Sequence, residues 1–151
     1  MAINWVYSYF NELSPQALYS IMRLRSEVFV VEQNCVYLDA DGKDEQSWHL
    51  CGWDNNTLVA YCRIIPPGLA FAEASIGRVV SAPAYRRTGA GRALMHIAIE
   101  KTLQQFKVST ITIGAQLYLA QFYGSLGFVQ TSDVYMEDGI PHIEMQYKLE
   151  N

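Results

Sequence analysis

Val79-Val80-Ser81-Ala82-Pro83-Ala84-Tyr85-Arg86-Arg87-Thr88-Gly89-Ala90-Gly91-Arg92-Ala93-Leu94-Met95 reads as a strand, a basic glycine-bearing turn and the first turn of a helix. Gly89 and Gly91 admit backbone angles that a Cβ forbids, so successive N–H groups can turn inward onto an anion, and the helix N-terminus adds its partial positive charge. Arg86, Arg87 and Arg92 bring formal charge to the same place. The stretch is a phosphate cradle. A Walker loop is excluded, because Arg92-Ala93 follows Gly91 where a Lys-Ser or Lys-Thr pair must reach the terminal phosphates and the magnesium. The dinucleotide fingerprint is excluded as well, since its third glycine is missing.

The rest of the chain bounds what such a cradle serves. With 151 residues and 50% hydrophobic composition, one compact domain over 1–151 is expected. Apolar segments are interrupted by charge well before a membrane span of ~20 residues forms. Met1-Ala2-Ile3-Asn4-Trp5-Val6-Tyr7 lacks the basic start and apolar core of a secretion signal, which predicts a cytoplasmic protein. A net charge of −4 argues against a nucleic-acid groove, so the three arginines read as a pocket for one small polyanion. Cys35, Cys51 and Cys62 are odd in number and lack a Cys-x-x-Cys spacing, so neither a disulfide framework nor a metal site is expected. Cys51 and Cys62 fall in apolar strand patterns; Cys35 lies in a loop with no neighbouring histidine to activate it.

Hydrophobic spacing places the elements. Ile3 to Phe10 predicts a strand, Ser14-Pro15 an N-cap with proline at the first helical position, and Leu18, Ile21, Met22, Arg25, Val28 and Phe29 the inward face of one helix. Trp48 to Trp53 and Thr57 to Ile65, separated by Asp54-Asn55-Asn56, predict a hairpin. Strands are expected at Ala74 to Ser81, Ser109 to Gly114, Phe128 to Met136 and His142 to Leu149. Helices are expected over Gly91 to Phe106 and Leu117 to Leu126. The order is α/β in the loose, α+β sense: a mixed sheet with a strand-helix-strand crossover in the middle.

Arg86-Arg87-Thr88-Gly89-Ala90-Gly91 resembles the acyl-CoA loop of the Gcn5-related N-acetyltransferases, in which Gln or Arg is followed by two residues, Gly, one residue, then Gly or Ala. Phe122-Tyr123, three residues, and Gly127-Phe128 resemble the second hallmark of that family. Arg25 to Gln33 with the acids after them and His49, together with Asp138-Gly139-Ile140-Pro141-His142-Ile143-Glu144-Met145, resembles its ElaA-like branch. The resemblance implies a single acyl-CoA N-acyltransferase fold, acetyl-CoA as donor and direct transfer to a primary amine. It implies that Val79, Val80 and Ser81 meet the pantetheine arm and that Arg86, Arg87, Thr88, Gly89, Ala90, Gly91 and Arg92 hold the pyrophosphate. Gln116 stands where the family often has Asn after the strand, so its contact with the cofactor is an open point.

An amine attacking a thioester must lose a proton, and the departing thiolate gains one. Tyr123 is the candidate acid, since a phenol near ~10 holds its proton at neutral pH; the resemblance places it beside the sulfur. Glu32, His49 and His142 are the candidate bases. A histidine in a strand is more often structural, and the acids Glu32, Asp39, Asp41, Asp44 and Glu45 read either as a solvated loop or as an acidic mouth that attracts a cationic amine. The acceptor class stays open between small-molecule and peptide amines, and aromatic-rich termini are compatible with a homodimer. Two rival readings remain: a CoA-sensing or partner-binding module without catalysis, and an enzyme using another acyl donor.

Overall fold

The computed structural model describes residues 2–150. A first antiparallel sheet is formed by β1 (Asn4–Tyr9), β2 (Trp48–Asp54), β3 (Thr57–Ile65) and β4 (Ser75–Ser81), in that spatial order. It lies between α1 (Pro15–Arg25) and α2 (Ala90–Phe106). Ile21, Leu24 and Val28 pack with Cys51, Leu58, Tyr61 and Val80 on one side. Leu94, Met95, Ala98 and Ile99 pack on Leu50, Val59, Cys62, Ile64 and Ile76 on the other. Covered on both faces, β3 is an almost unbroken apolar run rather than an alternating one. The second sheet orders β5 (Thr110–Gln116), β8 (Ile140–Lys148) and β6 (Val129–Gln130), with β7 (Tyr135–Glu137) also paired to β8. A short helix, α3 (Ala120–Ser125), precedes β6.

The sheets meet at one point. Ala74 bridges Ile111 in parallel, and the Thr112 amide donates to the Ala74 carbonyl at 3.0 Å. Beyond it β4 and β5 have different partners, β3 and β8, and they part to leave a cleft. Within β4 the register slips: Val80 faces Tyr61 and Gly77 faces Arg63, so Arg78 and Val79 oppose a single residue. This is a β-bulge, and Arg78 adopts φ 50° in the left-handed region. A non-glycine residue there costs on the order of 1–3 kcal/mol and persists only where its surroundings over-determine it.

The Ser14 cap is present, its hydroxyl accepting the Ala17 amide at 3.0 Å. Three expected elements differ. The helix expected over Leu117 to Leu126 opens as a 3-10 turn over Leu117–Leu119 before α3. The first helix turns π-helical over Ser26–Glu32, with Gln33 and Cys35 amides donating to Val28 and Val30 carbonyls at 3.1 and 3.0 Å. The wider turn directs Val28, Phe29, Glu32 and Gln33 toward the cleft. The expected strand from Phe128 to Met136 is broken into β6 and β7, because the Ser132 hydroxyl takes the Glu144 amide at 2.8 Å in place of a backbone carbonyl.

A charged network closes the loop between α1 and β2. Arg25, with 0% of its side chain exposed, holds Asp39 through Nε at 2.8 Å and Asp44 through Nη1 at 2.7 Å. Arg63 forks onto Asp41 at 2.8 and 2.9 Å and reaches Asp44 at 2.9 Å. Arg78 meets Asp39 at 2.9 Å and Asp41 at 3.3 Å. Three guanidinium groups therefore balance three carboxylates. Burial alone pushes the Asp41 and Asp44 carboxyls up, but hydrogen bonds and charge outweigh it and hold both below the carboxylate range; Arg63 dominates at Asp41 and Arg25 at Asp44.

Removing one member strands the others in a dry site, so Arg25→Leu is expected to lose about 3–5 kcal/mol in urea unfolding. A loss under about 1 kcal/mol, the worth of an exposed ion pair, contradicts a buried network. Acid acts in the same direction. Asp41 and Asp44 are depressed, so the unfolded chain binds their protons first, and the stability they contribute is lost as pH falls below about 4. His49 is lowered mainly by burial, which starts a smaller loss below about pH 6.5. Urea midpoints measured across pH check both; His49→Gln is expected to flatten the upper step and leave the lower one.

Candidate active site

The cleft between β4 and β5 encloses about 890 Å³. Its glycine-arginine end is built by the loop that precedes α2. Gly89 at φ 86° is the residue before the helix, and Arg87 at φ 64° also lies in the left-handed region. These two bends turn the chain sharply into α2, whose first amides have no acceptor within the helix, and Gly89, Gly91 and Arg92 line the cleft there. A Cβ on Gly91 would stand 3.3 Å from Ser81 Oγ, so the helix start approaches the end of β4 as closely as a glycine allows. Thr88 Oγ1 donates to the Tyr85 carbonyl at 2.6 Å and pins the turn. Arg92 Nη2 reaches Ser125 Oγ at 3.1 Å and lies over the Phe122 ring, which ties the loop to α3. Ala90 is buried under the loop and packs in the core. Arg86, Arg87, Gly89, Gly91 and Arg92 line this end of the cleft.

Deeper in, Val79, Val80 and Ser81 line the cleft from β4. The Val80 side chain packs toward α1, so its backbone is what it can present to the cleft. Across from them Tyr123 of α3 also lines the cleft, 6% exposed, wedged between Phe122 and Phe128 with ring centroids 5.2 and 5.9 Å away. Burial pushes its phenol up, well above the ordinary value, so it stays protonated at any working pH. The chain can turn back under α3 only because Gly127 sits at φ 104°; a Cβ there would meet the Tyr147 ring at 3.1 Å.

The candidate bases fall in three different places. His142 of β8 lines the cleft. Its Nδ1 stands 2.7 Å from the Ile140 carbonyl, which can only accept, so Nδ1 donates and Nε2 is left as the proton acceptor, 3.4 Å from Glu137 Oε2. Tyr135 stacks on the ring. Glu32 lies at the opposite end. It pairs with both terminal nitrogens of Arg86, one contact at 2.9 Å, and this hydrogen bond holds its carboxyl low. His49 corrects the expectation most plainly. It is 0% exposed and outside the cleft, its Nε2 donates to the Asp44 carbonyl at 2.9 Å and its Nδ1 accepts from Tyr61 at 2.6 Å. It is a structural histidine kept neutral by burial.

The acidic mouth is likewise corrected. Asp39, Asp41 and Asp44 are matched by Arg25, Arg63 and Arg78 and offer no net negative field to a cation. Gln116 has a different occupation from the one the resemblance left open. Its side-chain amide exchanges two hydrogen bonds with that of Gln33, at 3.2 and 3.3 Å, so the pair straps the π-helical turn to the end of β5 across the cleft. Cys35 donates to the Asp138 carbonyl at 3.3 Å and is buried, which removes it as a reactive thiol; burial pushes the Cys51 thiol up to about 12. Sequence reasoning missed Arg78, Gln33, Lys43 and Glu137 as cleft residues. One signal was there: Gly77-Arg78 inside an apolar strand marks a bulge.

Comparison with known proteins agrees with this geometry. The family described as "Acetyltransferase (GNAT) domain" matches residues 11–149. The UPF0039 protein sll0451 of Synechocystis sp. is 45% identical over 150 residues, 99% of this chain and 97% of that protein. Protein ElaA of Escherichia coli K12 is 42% identical over 145 residues, 95% of each chain. The crystal structure of Escherichia coli ElaA superposes with a TM-score of 0.91 at 40% identity, covering 97% of this chain and 100% of that one. An acyl-CoA N-acyltransferase from Pseudomonas aeruginosa gives the same TM-score of 0.91 at 38% identity, covering 97% and 99%. A buried tyrosine facing a glycine-arginine cradle across two splayed strands, on this fold and with these relatives, means that the chain belongs to the GNAT acyltransferase family, in the branch that contains ElaA.

Proposed function

We propose that the protein is an acetyl-CoA-dependent N-acetyltransferase that passes the acetyl group directly to a primary amine. What supports this reading is that the glycine-arginine turn, Tyr123 and His142 all line one cleft. Arg86, Arg87, Thr88, Gly89, Gly91 and Arg92 hold the pyrophosphate, and the edge of β4 at Val79 and Ser81 pairs with the arm as an added strand. Acetyl-CoA supplies a thioester whose carbonyl accepts the amine and whose sulfur leaves.

The protein's part is proton handling and electrostatics. His142 Nε2 takes the proton that the amine nitrogen loses, and Glu137 beside it stabilises the imidazolium. Tyr123, protonated because it is buried, donates a hydrogen bond to the sulfur and stabilises the thiolate as the carbon–sulfur bond breaks and the nitrogen–carbon bond forms, and the departing thiolate takes its proton from water. A backbone N–H near Val80, at the bulge, faces the carbonyl oxygen, where stabilising charge that grows only during attack lowers the barrier. Glu32 is not the base in this account: it sits with Arg86 at the cradle.

Tyr123→Phe is expected to lower kcat for thiol release from acetyl-CoA by about 10²–10⁴ while the acetyl-CoA Kd by calorimetry shifts less than about threefold. An equal loss in affinity and turnover sinks this role of Tyr123. Gly89→Asp, which forces a β-carbon and a negative charge into the cradle, is expected to weaken CoA binding at least about tenfold, and unchanged affinity refutes the placement of the cradle.

A further inference from the structure

Beyond Tyr123 the cleft opens into an end whose two walls differ in charge. Arg63, Arg78, Asp41 and Lys43 line it from the first sheet and its covering loop, and Glu137, Asp138 and His142 line it from β7, β8 and the turn between them. The acid of the first wall is spoken for. Arg25, Arg63 and Arg78 already match Asp39, Asp41 and Asp44, while Lys43 has no carboxylate within ion-pairing distance among the described residues. That wall therefore keeps one positive charge over. Arg78 is 23% exposed with its guanidinium over the Tyr37 ring; Asp39 and Asp41 hold its Nε and Nη2, and Nη1 is the nitrogen left for a ligand in the cleft.

The opposite wall keeps two carboxylates, Glu137 and Asp138, with no Lys or Arg paired to either among the described residues. Glu137 is 59% exposed and has only the His142 ring near it as a counter-charge, at 3.4 Å. The space between the walls is apolar in its sides. Tyr37, Phe71 and Tyr135 line it, and Gly114 opens it, because a Cβ there would stand 3.1 Å from the Tyr135 hydroxyl and 3.7 Å from Phe71.

We infer that the acyl acceptor is an amine that also bears one carboxylate, of the amino-acid type, with its carboxylate toward Lys43 and Arg78 and its amine toward His142 and Glu137. One surplus positive charge matches a single negative charge and falls short of a phosphate, which carries about −1.5 to −2 at neutral pH. A guanidinium beside an ammonium is suited to a planar carboxylate. A polyamine meets Lys43 and Arg78 with charge of the same sign. The inference rests on the acyl-transfer reading above.

The test uses pairs that differ only in the carboxylate: L-phenylalanine against 2-phenylethylamine, and L-leucine against 3-methylbutylamine. Each is titrated by calorimetry into the full chain saturated with CoA, and each is assayed for thiol release from acetyl-CoA. At least one amino acid is expected to bind about tenfold or more tighter than its decarboxylated partner, with the same order in kcat/KM. Lys43→Gln is expected to abolish that advantage and leave CoA affinity unchanged. Equal binding within both pairs, tighter binding of the amines, no binding of any of the four, or an advantage that survives Lys43→Gln overturns the inference. Carboxylate-dependent binding without thiol release keeps the site's ligand chemistry and counts against the transfer reading instead.

Discussion

Everything in this molecule follows from two strands that touch once and then separate. The Thr112 amide on the Ala74 carbonyl is the hinge of a V, and past it the facing edges of β4 and β5 have no strand between them. Backbone N–H and C=O groups lining a cleft need partners, and a ligand arm with amides of its own can supply them as a strand would. The second sheet keeps β5 in place by a full register against β8, from Thr110 opposite Lys148 to Gln116 opposite His142. That pairing sets His142 at the mouth of the V. Tyr123 of α3 lines the same opening.

The second constraint is charge in a dry place. The bulged Arg78 holds a backbone conformation that few side chains tolerate, and the carboxylates of Asp39 and Asp41 fix it from the loop above. Arg25 and Arg63 close the same network from the helix and from β3. Buried ion pairs contribute little net stability against an apolar replacement, yet they cannot be broken singly. Their effect here is positional: one network fixes the bulge, the loop over the cleft and the end of α1 relative to one another. It also pairs Asp39, Asp41 and Asp44 of what the sequence presents as an acidic loop with Arg25, Arg63 and Arg78.

The parts legible in the sequence are those whose chemistry is local. Gly89 and Gly91 declare a tight turn into a helix, Ser14-Pro15 declares a helix start, and the Phe122-Tyr123 and Gly127-Phe128 spacing declares a helix that must stop on a glycine. What pairs over long separations was not legible. Arg25 and Asp39 are 14 residues apart and Arg78 and Asp41 are 37 apart, so nothing local tells a neutralised acid from a free one. His49 looked like a base because its strand was visible and its buried partners, Tyr61 and the Asp44 carbonyl, were not. The break between β6 and β7 depends on one serine hydroxyl replacing a carbonyl, a substitution that periodicity does not register.

We propose that the V between β4 and β5, with the glycine-arginine turn at one end, receives acyl-CoA. A crystal structure with CoA bound tests it most directly. The account predicts the pyrophosphate on the amides from Gly89 to Arg92, the pantetheine arm hydrogen-bonded along Val79 and Ser81, and the sulfur within hydrogen-bond reach of the Tyr123 hydroxyl. CoA bound with its pyrophosphate elsewhere, or with its sulfur remote from Tyr123, contradicts it.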